Sequence, residues 1–475
     1  MIKNKALTIL LILTFIKGII WMLATPIFQV PDEPSHFSLV QIFSEARRRP
    51  NPRKGYITPL EILKVSEIVN FNWEITHPVW RNYQSNWRES IKKIPENNKS
   101  DFQQNKYQTS NKRPPLYYWL ATPFYLTVFQ KPFLIRFFSV RSFSVFIHIV
   151  TVYITFLLAQ LFLKEKLLSI TTAFLVAFQP MLSFLSIGVH YDPLTILVST
   201  LFLYKSLVFL KSKKKKHLRQ VFLIALLGVF INPNLICLIL ISLFLLPKKK
   251  LKFFIPLGFL FLILFLFIPR FMYIAILKYQ FLDPFLYLIN LNEYGDNIHF
   301  FYQSLISRQI FDQFKNYLIS NFNTHLAQAF PWYWGVFGWL EKTMPLIVYR
   351  VIKIITLISF IGWIKLIISQ FIKRTISVTK LKSSGFLIIA IIINLAIVVL
   401  NDFKTFAIAG ANFGIQGRYF LPMIAAHMIL LIFGLVQLIP KKHQSALAKL
   451  LIISSVVLNF IGLFSLYQYF GWVWS

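Results

Sequence analysis

Residues 28–37 read FQVPDEPSHF, which sets Asp32, Glu33 and His36 close together between and just after two prolines. Only 17 residues of the 475 are acidic, against 50 Lys and Arg, so two adjacent carboxylates concentrate a scarce group. Other residues capable of chemistry recur along the chain. Arg113 precedes two prolines in RPPLYYWL, Arg136 and Arg141 open an apolar run, and His190 and Asp192 lie in GVHYDPL. Trp332 and Trp334 belong to FPWYWGVFGW, and Gln416, Arg418 and Tyr419 to QGRYFLP.

The roles open to these groups differ. A carboxylate within hydrogen-bond reach of a hydroxyl acts as a general base. Partial burial raises its pKa and a neighbouring arginine lowers it. A guanidinium grips phosphate bidentately and stabilises the charge of a departing phosphate. Aromatic faces stack on a sugar ring. The set suits transfer of a sugar from a lipid-linked phosphate to an acceptor. Asp32 is the expected base, with Glu33 or His36 orienting the acceptor. Arg136, Arg141 and Arg418 are candidates for the donor phosphate. Arg113, His190, Asp192, Trp332, Trp334, Gln416 and Tyr419 are candidates for substrate contacts.

Each residue also has a plainer reading. Asp32 and Glu33 suit a helix N-terminus, and His190 and Asp192 suit a loop-end cap. Arg136 and Arg141 suit snorkelling, Arg418 a lipid headgroup, and the tryptophans an interfacial belt. His148 and His427, inside apolar runs, read as packed groups. No HExxH, CxxC, EF-hand or Walker A pattern occurs. The one cysteine, Cys237, rules out a disulfide framework and a Cys-based metal site. No cofactor is called for. A divalent cation stays open, because Asp32, Glu33 and Asp192 offer oxygen ligands without defining a site.

The elements that must position these residues are membrane spans. The chain is 56% hydrophobic and 17% aromatic, with mean hydropathy +0.61. A soluble domain of this length could not hide that much apolar surface. The net charge of +33 lies in short loops between apolar runs, which reads as orientation signals and lipid contacts rather than nucleic-acid binding. Lys3 and Lys5 place the start of the chain in the cytoplasm, ahead of a retained first span rather than a cleaved signal peptide. PDEPSHF then emerges outside, in a first extracytoplasmic loop over 28–133. In that loop PLEILKVSEIV has helical spacing, and NNKSDFQQNKYQTSNKR reads as a mobile surface stretch.

Residues 114–129 read as an interfacial helix, because a crossing there would put KSKKKKHLR outside. Spans follow at about 134–162, 167–188 and 193–210. Residues 221–247 start and finish inside, bent at Asn232-Pro233-Asn234. Further spans are expected at about 253–274, 346–369, 385–400, 419–439 and 449–472, with a second large extracytoplasmic loop at 278–344. The expectation is one all-α, multi-span domain of about eleven transmembrane helices, in a cell membrane, with its polar groups on the extracytoplasmic face. Lys17, in the middle of the first span, is expected to face protein.

The ordered set FQVPDEPSHF, RPPLYYWL, GVHYDPL, FPWYWGVFGW and QGRYFLP resembles the predicted membrane proteins known as domain of unknown function 2142. That family looks like a branch of the GT-C glycosyltransferases, with the protein O-mannosyltransferases and the aminoarabinose transferases of lipid A among its relatives. The resemblance covers about residues 20–440. It implies an outward-facing site on the loop after the first helix, with an acidic residue serving the acceptor. It also implies a polyprenyl-phosphate-linked sugar donor, an envelope glycan, lipid or protein as acceptor, and inversion at the anomeric carbon. By this likeness Asp32 corresponds to the acidic base. The mannosyltransferases open a surface helix with H-P-P-L, whereas this chain has Arg113-Pro114-Pro115-Leu116, which leaves the role of position 113 open.

Three rival functions share this compartment: a transporter or flippase of lipid-linked glycans, a polysaccharide polymerase or ligase, and a structural envelope protein. Transporters tend to carry internal repeats and midplane charges. No convincing repeat occurs here, and most unusual polar groups fall at the expected outer boundary.

Overall fold

A computed structural model describes residues 5–46, 57–73, 77–78, 86–95, 101–105, 107–108, 113–246, 309–373, 378–409 and 415–471. The first span, α1 (Lys5–Ala24), leads into α2 (Glu33–Glu45). Short helices α3 (Leu60–Ile68), α4 (Trp87–Lys92) and α5 (Leu116–Leu126) come before α6 (Phe133–Leu163). Next are α7 (Lys166–Ala177), α8 (Pro180–Leu185), α9 (Asp192–Ser212), α10 (Lys215–Val229) and α11 (Ile236–Leu243). The C-terminal part holds α12 (Gln309–Trp334), α13 (Leu346–Lys373), α14 (Val378–Ala409), α15 (Ile424–Leu438) and α16 (Gln444–Phe470).

Among the described residues seven helices are long and apolar enough to cross a membrane, so the chain is a multi-pass, largely helical membrane protein. The count differs from the eleven expected, for reasons visible in particular residues. The 167–188 run is broken into α7 and α8, because Pro180 has no N–H to continue the ladder and Gln179 caps the restart. The Gln179 side chain accepts from Leu182 N–H at 2.5 Å and donates to the Tyr333 carbonyl at 2.5 Å. The 221–247 run is bent where Asn232 accepts from Asn234 N–H at 3.0 Å around Pro233, leaving α10 and α11 short. The run expected at 253–274 lies outside the described residues. Part of the segment read as a second large loop, 309–334, is the helix α12.

Helix α5 has 11 residues, about 16 Å of rise, which is half the thickness of a bilayer core. It packs with α2, α3, α4 and the start of α6 in one cluster that includes Phe28, Phe37, Val65, Tyr117, Tyr118, Tyr125 and Phe137. This cluster sits at the head of α6 and forms the platform under the acidic motif. Within the stretch read as mobile, Phe102–Gln104 pairs antiparallel with Ile57–Pro59.

Lys17 faces protein, as expected. Its ammonium donates to the Ala177 carbonyl at 2.6 Å and Ser183 Oγ at 2.9 Å, and lies 3.1 Å from His148 Nε2. Asn459 joins the same cluster through Ser183 at 2.8 Å and accepts from Trp21 Nε1 at 2.9 Å. Polar groups in the apolar interior must find partners within the protein. This network ties α1, α6, α8 and α16 together.

Candidate functional site

The two carboxylates of PDEP have opposite environments. Asp32 adopts a left-handed conformation (φ 63°, ψ 4°), which asparagine and aspartate tolerate better than other non-glycine residues. It occupies the N-cap position of α2 but makes no capping hydrogen bond with its side chain. That side chain is 43% exposed and turns toward Arg418 and His190. Capping therefore does not explain Asp32.

Glu33 is fully buried. It holds Arg141 bidentately, Oε1 to Nε at 2.8 Å and Oε2 to Nη2 at 2.7 Å, and Oε1 also accepts from Val189 N–H at 3.1 Å. The remaining Arg141 donors go to the carbonyls of Met22 at 3.2 Å, Thr25 at 2.7 Å and Pro26 at 2.9 Å. All five guanidinium N–H groups are thus engaged. The carbonyls at the end of α1 have no helical partners, and this arginine supplies them.

Arg136 is also committed. It pairs with Glu61, donates to Tyr125 Oη at 2.5 Å and to the Lys131 carbonyl at 2.9 Å. Tyr125 in turn donates to Glu45. Of the three candidate phosphate-binding arginines, Arg136 and Arg141 therefore sit in internal ion pairs. Arg418 differs. It is 7% exposed and donates through Nη2 to Asp32 Oδ2 at 3.3 Å. Its Nε and Nη1 are buried without a hydrogen-bond partner. Beside it lies a small cleft lined by Asp192, Asn232, Asn234, Asn394, Arg418 and Tyr419 among others.

Two glycines make this convergence possible. A Cβ on Gly188 would lie 2.5 Å from Val30 Cγ1, so only glycine lets the 186–190 turn approach the acidic motif so closely. A Cβ on Gly417 would lie 2.1 Å from Tyr333 N and 2.2 Å from the Ala329 carbonyl, so glycine seats the 3₁₀ turn Gly417–Met423 against α12. The first contact brings in His190 and the second brings in Arg418.

The histidines complete the set. His190 Nε2 lies 4.0 Å from Asp32 Oδ2, and its Nδ1 lies 3.3 Å from Asp192 Oδ2 and accepts from Asp192 N–H at 3.0 Å. The His36 and His190 rings meet edge to face at 4.2 Å, and Tyr118 Oη lies 2.6 Å from His36 Nδ1. Burial holds the His36 imidazole well below its usual range, and the positive neighbours His190, Arg113 and Arg418 push the same way. Burial likewise pushes the Tyr118 hydroxyl well above its usual range. Ligand atoms of Asp32, His36 and His190 lie within 4.8 Å of one another, so this triad is able to coordinate a divalent cation. Glu33 and Asp192, the other two oxygen donors anticipated, lie outside it.

The remaining candidates are spread around this centre. Arg113 lies over the Tyr191 ring, 5.6 Å from its centroid. Tyr419 and Asp192 line the cleft. Gln416 Oε1 is buried without a partner, and the Gln416 carbonyl accepts from Tyr419 N–H at 3.0 Å. Trp334 is buried against His427, with ring centroids 6.0 Å apart, and Trp332 is half-buried. From the same aromatic stretch it is Trp339 that reaches the acidic motif, donating to the Phe28 carbonyl at 3.1 Å. Tyr118, Asn232, Asn234 and Asn394 were not singled out for the site from sequence. Tyr118 is signalled only by its place in RPPLYYWL. Asn232 and Asn234 read there as a turn, and nothing in the sequence points to Asn394.

A family model described as predicted membrane protein (DUF2142) matches residues 15–427, and the chain belongs to that family. No curated protein and no solved structure matches.

Proposed function

We propose that this chain is a GT-C-type membrane glycosyltransferase that moves a sugar from a polyprenyl-phosphate-linked donor to an extracytoplasmic acceptor, with inversion. The observation that carries this reading is Arg418, a buried guanidinium with two unpartnered donors beside a cleft and within 3.3 Å of the half-exposed Asp32 carboxylate. Unsatisfied buried donors are costly, and an anionic oxygen is the partner that such a group accepts best.

In the proposed reaction the acceptor hydroxyl oxygen attacks the anomeric carbon as the bond from that carbon to the phosphate oxygen breaks. The acceptor proton passes to Asp32. The polyprenyl phosphate leaves with the bonding electrons, and Arg418 stabilises its charge. Glu33 and Arg141 frame the site and touch neither reactant. Tyr191, packed against His36 and His190, and Tyr419, with Arg418 over its ring, are the aromatic faces that would meet the sugar.

The test uses purified protein in lipid nanodiscs with polyprenyl-phosphate sugars and extracted envelope acceptors. Formation of a new glycosidic product is expected. Asp32→Asn nearly preserves shape but removes the base, so transfer should fall about 10²- to 10⁴-fold with donor binding retained. A lipid-linked sugar carried across the bilayer unchanged, with no product, would establish transport instead.

A further inference from the structure

We infer that Asp32, His36 and His190 form a binding site for a zinc-class divalent cation, with Asp192 and Tyr118 as positioning residues. Two imidazoles and one carboxylate are the donor set of borderline transition metals, whereas magnesium and calcium take oxygen ligands almost throughout. The ligand atoms span up to 4.8 Å. Bonds of about 2.0–2.2 Å set neighbouring ligands roughly 3–3.5 Å apart, so the ligands must close by about an ångström. Asp32 can supply that movement, because its side chain is 43% exposed and its hydrogen bond to Arg418 is long at 3.3 Å.

An independent observation lies behind His190. Asp192 Oδ2 is buried and has no hydrogen-bond partner, yet it stands 3.3 Å from His190 Nδ1. With the imidazole proton on Nδ1, the ring donates to this orphaned oxygen, and the Nε2 lone pair faces Asp32 for coordination. A carboxylate behind a ligating imidazole is the usual arrangement that fixes its tautomer and raises its basicity. The exchange releases Asp192 N–H, one of the helix-start donors that lack an intrahelical partner in any case. Tyr118 fixes the His36 ring in the same way, from 2.6 Å. Three protein ligands leave a coordination position open to an anionic oxygen, and Arg418, hydrogen-bonded to the ligand Asp32, keeps two unpartnered donors.

Cation binding shares Asp32 with the transferase reading but does not rest on that reading, and it is measured with no sugar donor present. Tag-free protein in detergent is freed of metal with a chelator, then titrated with Co²⁺ and Zn²⁺. The readouts are visible absorption of the cobalt form and metal content after gel filtration. Saturable uptake of one ion per chain is expected, with Zn²⁺ displacing Co²⁺ and excess Mg²⁺ failing to do so. Asp32→Ala removes a ligand from a half-exposed position without disturbing the packed core, and should abolish the cobalt bands. His190→Ala, checked for folding by thermal unfolding, should do the same. Asp192→Asn should weaken affinity about 10- to 100-fold while leaving the spectrum recognisable. The site is overturned if wild-type protein takes up neither ion, or if Asp32→Ala binds as tightly as wild type. Unchanged affinity in Asp192→Asn overturns the positioning role.

Discussion

Arg418 and Asp32, 386 residues apart in sequence, meet through a single 3.3 Å hydrogen bond that leaves two of the guanidinium's nitrogens without partners. An arginine held this loosely beside a cleft differs from Arg141, whose every donor is used. Arg418→Lys keeps the charge but loses the planar fork. Transfer and donor affinity should both fall at least tenfold in Arg418→Lys, and further in Arg418→Ala, with thermal stability nearly unchanged. Equal donor binding by all three proteins would place the donor phosphate elsewhere.

Glu33→Gln and Arg141→Ala should act on folding rather than on the reaction. Each leaves a buried charge without its partner, a loss of about 3–5 kcal/mol. Both variants should express poorly or unfold early in detergent, and what survives should retain turnover per folded molecule. Stable, inactive Glu33→Gln would return Glu33 to the chemistry.

Glu45 gives the platform a pH dependence. Burial pushes its carboxyl from the ordinary 4.5 up to about 7, with Glu61 adding to the rise while Tyr125, Arg136 and Gln41 oppose it. A raised folded-state value means that the fold prefers the protonated acid. The stability from this group is full below about pH 4.5 and is lost as pH rises through about 7. Thermal unfolding midpoints should therefore fall between pH 5 and pH 8 by more in wild type than in Glu45→Gln. Parallel curves for the two proteins would show that Glu45 does not titrate in this range.

Membrane orientation is tested with single cysteines at Gln130 and Ser212 in a Cys237→Ala background. Both positions are exposed. An impermeant thiol reagent applied to intact cells should label Gln130→Cys and spare Ser212→Cys until the membrane is broken. Labelling of Ser212→Cys from outside, with Gln130→Cys spared, would invert the assignment that α5 stays on the outer face.

The convergence of Asp32, His36, His190, Asp192 and Arg418 was readable from residue type and motif order, because few residues outside apolar runs have such chemistry. The division of labour inside DE was not. Neighbouring carboxylates look alike until their partners are known, and those of Glu33 and Asp32 lie 108 and 386 residues away. The bend at Asn232-Pro233-Asn234 was visible because two turn formers flank the proline. The break at Gln179-Pro180 was missed, since apolar residues run on both sides and hydropathy averages through a single glutamine. That Lys17 faces protein was legible from its place in the middle of a span, but what it meets there was not. Its partners Ala177, Ser183 and His148 come from helices more than 130 residues on.

The frame and the centre also differ in when they become available during synthesis. At roughly 5–20 residues per second, the 108 residues from Glu33 to Arg141 are made in about 5–20 s, so α1, α2 and α6 can be locked together early. Arg418 follows Asp32 by 386 residues, about 20–80 s of translation. A nascent chain therefore carries a finished scaffold long before it carries a finished centre. A chain cut short before QGRYF would carry the Glu33–Arg141 frame but lack the Arg418–Asp32 contact.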